Sequence, residues 1–300
     1  MAEMTSWEDF RSGTIAIVGR PNVGKSTLLN RLIGQKISIV SKKPQTTRHV
    51  VRGVRTDDNA QYVFVDTPGW QTRHTNRLTQ IMNQSVDATF AGVDVVLLVV
   101  DERIIRGSDS AMIGRLPGGL PVLAAINKID QLPDKSVLLP TMAKLADQFP
   151  FKSIVPVSAS DGTQIDRLLT ALREYLPKGP PVYDIETLTD QNERFFAAEF
   201  LREKIFRLTG DEIPYMTGVM IDQFIVEGPM RRIAATVFVD RRAHRQILIG
   251  KDGERMKRIA SEARLDMEAL FGGPVFLQVW VKIKPGWVDN PGIVSSLMSL

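Results

Sequence analysis

The chain contains the sequence Gly19-Arg20-Pro21-Asn22-Val23-Gly24-Lys25-Ser26, directly after the apolar run Ile15-Ala16-Ile17-Val18. The two glycines of this stretch let the backbone wrap closely around phosphate groups, and the pattern Gly, four residues, Gly-Lys-Ser is typical of a phosphate-binding loop. Residues 26–33 have the pattern of a helix, whose amino end attracts anions. The stretch therefore predicts a strand, a phosphate loop and a helix, with Lys25 reaching the β- and γ-phosphates and Ser26 holding Mg²⁺.

Strand-like and helix-like segments alternate outward from this loop as far as Tyr175. Apolar runs predict further strands over residues 62–65, 95–100, 122–126 and 154–157. Helix patterns separate them over residues 76–90, 136–148 and 165–175. Alternation of this kind predicts an α/β domain with a mostly parallel sheet and helices on both faces. Ligands of such sheets bind at the carboxyl ends of the strands.

Length and composition set the frame for this domain. The chain has 300 residues, which favours two domains, and we predict them over residues 1–177 and 194–300. Residues 178–193 form the predicted linker, because the adjacent Pro180 and Pro181 cannot continue a helix. Hydrophobic residues make up 43% and charged residues 24%, which excludes wholesale disorder and a coiled-coil or collagen architecture.

Cysteine is absent, which excludes a disulfide framework and a thiolate metal site. The first ten residues lack the apolar core of a signal peptide, and the longest aliphatic run, residues 95–100, is far shorter than a membrane span. These observations predict a cytoplasmic protein.

Three further motifs each follow a predicted strand. Asp66-Thr67-Pro68-Gly69 supplies a carboxylate suited to Mg²⁺ and a glycine N–H that could sense the γ-phosphate. Asn127-Lys128-Ile129-Asp130 supplies the Asp130 carboxylate, which can accept from guanine N1–H and the 2-amino group that adenine lacks. Asn127 is predicted to brace the loop, and the Lys128 stem to lie on the base. Ser158-Ala159-Ser160 offers the backbone N–H of Ala159 to guanine O6.

Together these motifs resemble the GTPase superfamily, with residues 19–27 as the first signature. The resemblance implies a site for GTP or GDP with Mg²⁺, and Gln45-Thr46-Thr47-Arg48 lies where the second signature belongs. Thr47 is favoured as a ligand of Mg²⁺ beside Ser26 and Asp66, with Thr46 as the local alternative. The predicted nucleotide contacts are Gly19, Arg20, Pro21, Asn22, Val23, Gly24, Lys25, Ser26, Thr27, Asp66, Thr67, Pro68, Gly69, Trp70, Asn127, Lys128, Asp130, Ser158 and Ala159.

One position departs from the pattern of many GTPases. Where they have a glutamine that orients the attacking water, this chain has Trp70, and Gln71 comes one residue later. We therefore expect slow intrinsic hydrolysis. The resemblance therefore narrows to those GTPases that have a hydrophobic residue at the position of Trp70. In some of these proteins the asparagine of the phosphate loop, which is Asn22 in this chain, helps bind K⁺. The groups predicted to act in hydrolysis are Lys25, Thr47, Gly69 and Asn22.

Beyond the linker the pattern changes. The predicted order is helix, strand, strand, helix, loop, helix and strand, over residues 194–208, 216–226, 232–239, 242–249, 250–253, 256–270 and 275–283. A Gly-x-x-Gly loop, Gly250-Lys251-Asp252-Gly253, joins the last two helices. This arrangement resembles an α+β KH domain of type II, whose loop clamps four nucleotides of single-stranded nucleic acid.

Charge is segregated in this second domain. Residues 231–258 hold nine Lys and Arg against three Asp and Glu, whereas residues 181–230 hold four against ten. A basic face of this kind suits phosphate binding, although Asp252 brings an acid into the clamp. The predicted RNA contacts are Ile249, Gly250, Lys251, Asp252, Gly253, Arg241, Arg242, Arg245, Arg255, Lys257 and Arg258.

Several other side chains carry weaker signals. Phe195, Phe196 and Phe200 are predicted core residues, whereas Phe276 and Trp280 lie on the strand face opposite the aliphatic row. The three histidines lack metal-ligand spacing, and His244 is predicted to be solvated. We assign no role to residues 291–300.

A GTPase domain followed by this KH form resembles the bacterial Era GTPases over nearly the whole chain. The resemblance implies a monomeric switch that binds the 3′ end of 16S ribosomal RNA and acts in 30S subunit assembly and 16S processing. It also implies peripheral association with the cytoplasmic face of the inner membrane. Two other hypotheses remain: an RNA-modification GTPase, and an RNA-binding scaffold whose nucleotide site is only structural.

Overall fold

A computed structural model describes residues 7–70, 77–101, 107–210 and 212–298. Contacts divide these residues into two compact units. The first takes in the residues up to Ser38, those from His49 to residue 70, and those from Met82 to Asp190. The second unit contains Ile39–Arg48, residues 77–81 and the described residues from Gln191 onward.

The first unit is built on a six-stranded sheet with the order β2-β3-β1-β4-β5-β6. All neighbouring strands are parallel except β2 and β3, which are antiparallel. The mostly parallel sheet predicted from the sequence is therefore confirmed. The strands are β1 (Arg11–Val18), β2 (Val51–Thr56), β3 (Ala60–Asp66), β4 (Val95–Asp101), β5 (Val122–Asn127) and β6 (Ser153–Pro156).

Successive residues of the central strands are buried, including Ile15, Ala16 and Ile17 of β1 and all of residues 95–100 of β4. Side chains alternate between the two faces of a strand, so both faces of the sheet are covered. The helices of this unit are α1 (Lys25–Ile33), α3 (Gly107–Ile113), α4 (Leu138–Ala146), α5 (Ile165–Arg173) and, from Met82 onward, α2 (Arg77–Thr89).

The second unit contains a three-stranded sheet with the order β7-β8-β9. β7 and β8 are antiparallel, and β8 and β9 are parallel. The order of helices and strands matches the prediction from Arg194 to Ile283. The elements are α6 (Glu193–Leu208), β7 (Thr217–Glu227), β8 (Met230–Val239), α7 (Arg242–Ile249), α8 (Glu254–Phe271), β9 (Val275–Ile283) and α9 (Pro291–Met298).

The aromatic side chains of this unit fall into a buried group and an exposed group, as predicted. Phe195, Phe196 and Phe200 of α6 are buried, whereas Phe276 and Trp280 of β9 are exposed. The prediction for His244 was wrong, because this histidine is buried on the inner side of α7 together with Leu248, one helical turn later.

No helix in the described ranges combines the length and apolar character needed to cross a bilayer.

Candidate nucleotide site and nucleic-acid surface

The phosphate loop connects β1 to α1 and has backbone angles that few residues adopt. Asn22 has a φ of 65° and Gly24 a φ of 98°. A Cβ atom at Gly24 would lie 2.3 Å from Asn127 Nδ2, so the loop can pass this side chain only as glycine. The turn leads directly into the amino end of α1, where backbone N–H groups favour an anion.

Lys25 is buried at the start of α1. Its Nζ donates to the carbonyl oxygens of Gly19 and Arg20, both at 3.0 Å. Burial lowers the pKa of Lys25 to about 8, while the nearby Asp66 carboxylate acts in the opposite direction. The ammonium group is therefore held inside the loop by two carbonyls, at the place where a phosphate would lie.

Asp66 ends β3 and is completely buried. Its Oδ2 accepts from Ser26 Oγ at 2.7 Å and from Ser38 Oγ at 3.0 Å, whereas its Oδ1 has no partner among the described residues. Burial raises the pKa of this carboxyl, and Lys25 and the two serines lower it. Buried polar atoms without partners are rare, so Oδ1 fits the hydration shell of a cation.

The residues present thus suit Mg²⁺. Ser26 and Asp66 would hold it, and no cluster of three carboxylates or histidines able to bind a metal exists in the described ranges. Mg²⁺ usually takes one or two protein ligands together with substrate phosphates and water, which this arrangement matches. Bound there, it would neutralise charge on the phosphate oxygens.

The loop after β3 lies against the phosphate loop. A Cβ atom at Gly69 would lie 2.8 Å from Pro21 Cα. Thr67 is buried and donates from Oγ1 to the Ile17 carbonyl at 2.9 Å. The backbone of Gly69 therefore lies against the phosphate loop, and the contact of its N–H with a γ-phosphate stays a prediction.

Trp70 has a different environment. It packs against the apolar cluster that includes Val86, Val96 and Met112, and the Arg115 guanidinium lies 5.0 Å from its ring centroid. Its side chain thus contributes to the core of the first unit. Gln71 lies outside the described residues.

Asn127 joins three loops. Its Nδ2 donates to the Val23 carbonyl at 2.8 Å, and its Oδ1 accepts from the Ala159 N–H at 3.0 Å. The predicted brace is thus present in the geometry. The Ala159 N–H, predicted to donate to guanine O6, is directed to Asn127 here.

The neighbouring residues of this loop hold it further. Lys128 has a φ of 67°, and its Nζ donates to the Asn22 carbonyl at 2.7 Å and forms an ion pair with Asp101. Asp130 Oδ1 accepts from Ser158 Oγ at 2.7 Å. The predicted base-binding loops are therefore connected to each other and to the phosphate loop.

A cavity of about 330 Å³ adjoins Thr27 and the loop after β6. Arg31 donates to the carbonyls of Ala159 and Ser160 at its wall. The lining residues are Thr27, Asn30, Arg31, Gly34, Gln35, Lys36, Ala159 and Ser160.

Thr46 and Thr47, the alternative Mg²⁺ ligands, are both buried and both belong by contacts to the second unit. Thr46 Oγ1 donates to the Lys43 carbonyl at 2.7 Å. The segment Ile39–Arg48 is held in that unit by charged side chains. Val40 N–H donates to Glu203 Oε1 at 3.0 Å, and Lys43 Nζ donates to the carbonyls of Thr209 and Gly210.

Arg48 anchors the end of the segment. It is buried, and its guanidinium donates to the carbonyls of Thr217 at 3.0 Å and Pro214 at 2.8 Å. Burial, together with the nearby Arg202, lowers the pKa of Arg48 to about 9, while Glu199 acts in the opposite direction.

The Gly-x-x-Gly loop joins α7 to α8. Gly250, Asp252 and Gly253 have positive φ angles of 76°, 51° and 79°. A Cβ atom at Gly250 would lie 2.8 Å from Arg255 Cβ, and Arg255 itself donates to the Ile247 carbonyl. Lys251 and Asp252 are exposed at the tip, whereas Ile249 is half-buried.

The basic side chains around this loop differ in their pairing. Arg241 pairs with Asp240 and Arg258 with Glu262. In the part of the chain that the structure describes, the remaining exposed cations make no ion pair, so their charge is available to phosphates. They are Arg242, Arg245, Lys251 and Lys257.

Three residues that contribute to the site were not predicted from the sequence. Ser38 hydrogen-bonds Asp66, and Asn30 holds Ser38 by accepting from its N–H at 2.8 Å and donating to its carbonyl at 2.7 Å. Asp101, at the end of β4, pairs with Lys128. Asp101 could have been noted as an acid ending a predicted buried strand.

Comparison with known proteins agrees with both units. Residues 14–128 match the family described as 50S ribosome-binding GTPase, and residues 212–288 match the KH domain family. The chain is 51% identical over 288 residues to GTPase Era of Nitrosomonas eutropha, which covers 96% of this chain and 97% of that protein.

The chain belongs to the Era GTPase family.

A second Era relative, GTPase Era of Chromobacterium violaceum, is 48% identical to this chain. The aligned region covers 94% of this chain and 95% of that protein. A solved structure of a variant of Aquifex aeolicus Era bound to GDP and AlF₄⁻ has a TM-score of 0.93 at 37% identity, over 96% of this chain and 99% of that one. An Era structure in complex with MgGDPNP and nucleotides 1506–1542 of 16S ribosomal RNA has a TM-score of 0.91 at 37% identity, over 96% and 98%.

Family membership confirms the predicted fold class, a P-loop GTPase domain followed by a KH domain. It also confirms the predicted enzyme class: like other Era proteins, this chain binds GTP and hydrolyses it to GDP and phosphate.

Proposed function

We propose that this Era GTPase binds the 3′ end of 16S ribosomal RNA through its KH unit and acts in assembly of the 30S subunit and 16S processing. GTP, with Mg²⁺ held by Ser26, Asp66 and Thr47, would set the state of the protein, and hydrolysis would end that state. The family relationship and the RNA-bound Era structure support this assignment.

One observation carries the proposal: the segment that would sense the nucleotide is packed into the RNA-binding unit. Ile39–Arg48 contains Thr47, and its contacts are with α6, with Pro214 and with Thr217 at the start of β7. We infer that binding of Thr47 to Mg²⁺ in the GTP state would change these contacts, which would couple nucleotide state to the KH unit.

The test is RNA binding with the guanine nucleotide varied. A short RNA copying the 3′ end of 16S ribosomal RNA, and a scrambled control, would be titrated at fixed salt with GDP and with a non-hydrolysable GTP analogue. We expect tighter, sequence-dependent binding with the analogue. Equal affinity in both nucleotide states would overturn the coupling, and equal affinity for both RNAs would overturn the RNA assignment.

Potassium is proposed as a further component of hydrolysis. Asn22 is exposed in the phosphate loop, and the neighbouring Trp70 lacks the chemistry to orient water. A cation beside the phosphates would supply the missing charge. Phosphate release should be faster in K⁺ than in Na⁺ at equal ionic strength, and Asn22→Ala should remove the difference. Equal rates in both salts would contradict this role.

The alternative of a nucleotide site that is only structural is not supported, because the chain belongs to a family of GTP hydrolases. The cytoplasmic location, peripheral membrane association and monomeric state stay predictions, as do the domain boundaries at residues 177 and 194.

A further inference from the structure

The carboxylate of Asp66 receives hydrogen bonds from two serines at the same oxygen. Ser26 Oγ, in the first turn of α1, donates to Oδ2 at 2.7 Å, and Ser38 Oγ donates to Oδ2 at 3.0 Å. Oδ1 has no partner among the described residues. Asp66 is completely buried and Ser38 is 2% exposed. One oxygen of the carboxylate is therefore fixed by two donors, and the other faces the place where a ligand would bind.

Ser38 is itself held by one side chain of α1. Asn30 Oδ1 accepts from the N–H groups of Ile37 at 2.9 Å and of Ser38 at 2.8 Å, and Asn30 Nδ2 donates to the Ser38 carbonyl at 2.7 Å. α1 ends at Ile33, and Gly34, with a φ of 81°, turns the chain back toward Asn30. Both backbone polar groups of Ser38 are thus bonded to a residue of the helix.

One face of α1 therefore contacts the Asp66 carboxylate by two routes. Ser26 and Asn30 are four residues apart, which places them on the same face of the helix. Ser26 bonds Asp66 directly, whereas Asn30 reaches it through Ser38. The helix that follows the phosphate loop thus sets the orientation of a carboxylate at the end of β3.

The hydroxyl of Ser38 is not needed for the turn in which it lies. Asn30 bonds the N–H and the carbonyl of Ser38, and an alanine at this position would keep all of those bonds. A buried hydroxyl is unfavourable unless it is hydrogen-bonded, and Ser38 Oγ donates to Asp66. The hydroxyl therefore acts on the carboxylate, and the backbone of Ser38 acts on the turn.

We propose that Ser38, held by Asn30, is a positioning residue for Mg²⁺. This inference rests on the proposed binding of Mg²⁺ by Ser26 and Asp66. Mg²⁺ demands a nearly ideal octahedral geometry, so the plane of the carboxylate matters. With Ser26 as its sole donor, the carboxylate would be free to turn about the bond that joins it to Cβ. Removal of a hydrogen-bonding partner from a metal-binding group typically lowers metal affinity by about 10–100-fold.

The experiment measures GDP binding to the full chain while the concentration of free Mg²⁺ is varied. Ser38→Ala should raise the Mg²⁺ concentration that gives half of the Mg²⁺-dependent gain in GDP affinity by about tenfold or more. In EDTA, without Mg²⁺, the variant should bind GDP as wild type does, because the hydroxyl acts only on the metal site. Ser136→Ala is the matched control, since Ser136 also donates to an aspartate, Asp134, but in an exposed turn. It should keep the wild-type dependence on Mg²⁺.

A second variant tests the order of the contacts. Asn30→Ala should shift the Mg²⁺ dependence in the same direction, and combining it with Ser38→Ala should shift it no further, because Asn30 acts through Ser38. Additive shifts would overturn the part assigned to Asn30. The role of Ser38 is overturned if Ser38→Ala keeps the wild-type Mg²⁺ dependence, or if it weakens GDP binding equally with and without Mg²⁺. If GDP binding to the wild-type protein does not respond to Mg²⁺, the proposed Mg²⁺ site itself fails.

Discussion

Asn127 shows how much of the site depends on a single amide. It is buried, and both polar atoms of its side chain are used, one on the phosphate loop and one on the loop after β6. Because a buried amide leaves its partners unsatisfied when it is removed, its loss affects more than one loop.

Replacing Asn127 with alanine should therefore lower the free energy of unfolding by about 1–3 kcal/mol and weaken nucleotide binding. Denaturant unfolding without nucleotide measures the first effect. Asn59→Ala, in an exposed turn, is the matched control and should change stability little. An unfolding free energy unchanged in Asn127→Ala would show that the brace contributes nothing.

Asp130 determines the choice of base in our assignment. Its carboxylate is exposed and positioned by Ser158, ready to accept two donors from a guanine. Asp130→Asn replaces one acceptor by a donor, which suits xanthine better than guanine. We expect weaker GTP binding and stronger XTP binding, measured by competition against a labelled nucleotide. Continued rejection of XTP by the variant would count against the assignment.

At the scale of elements, the segment Ile39–Arg48 is the part whose position matters most. It carries Thr47 but ends in Arg48, whose guanidinium donates to the carbonyls of Pro214 and of Thr217 at the start of β7. A buried arginine beside another arginine, Arg202, is retained only while those bonds compensate its desolvation.

Arg48→Met should release this segment. The expected result is faster amide hydrogen exchange over residues 39–48 in the nucleotide-free protein, since the hydrogen bonds to Pro214 and Thr217 are lost. Lys42→Met, an exposed change in the same segment, is the control. Exchange as slow in Arg48→Met as in the control would mean that other contacts hold the segment.

The C-terminal helix α9 completes the second unit although its sequence suggested no role. Trp287, just before it, is 1% exposed and donates from Nε1 to the Met216 carbonyl at 3.1 Å. Trp287→Ala should cost about 3–5 kcal/mol in the free energy of unfolding, because it leaves a large cavity. Trp280→Ala, at an exposed tryptophan, should cost far less in the same denaturant titration. Similar costs for both would contradict the packing described here.

Across the whole molecule, charge is distributed very unevenly. The net charge is only +4, yet the stretch 231–258 is strongly basic and the stretch before it strongly acidic. The four unpaired cations around the Gly-x-x-Gly loop concentrate attraction for a polyanion in one part of the chain.

RNA affinity should consequently fall steeply with salt. On a logarithmic plot, each phosphate contact contributes a slope of about 0.7 for single strands, so Arg245→Gln should reduce the slope by about that amount. Arg207→Gln, an exposed cation of α6, should leave the slope unchanged. If both variants have the wild-type slope, Arg245 does not contact phosphate.

The features that could be predicted from the sequence are those encoded by short, continuous segments. The phosphate loop, Asn127 to Asp130 and the Gly-x-x-Gly loop are local, and the apolar runs located five strands of the first sheet. β2 was missed because Arg52 and Arg55 interrupt its apolar pattern, and α9 because Pro291 and Gly292 open it. The contacts of Asn30 with Ser38, Ser38 with Asp66 and Lys128 with Asp101 join residues that meet only after folding.

The bonds from Asn127 to Val23 and from Lys128 to Asn22 have one more consequence. The loop that we expect to bind the base is thus hydrogen-bonded to the loop that we expect to bind the phosphates. Fragments of the ligand should therefore not act independently: guanosine bound alone would tighten the binding of pyrophosphate, and the reverse by the same factor. A whole nucleotide would bind more tightly than the sum of its two fragments predicts. Each fragment bound alone must order both loops, whereas the whole nucleotide orders them only once.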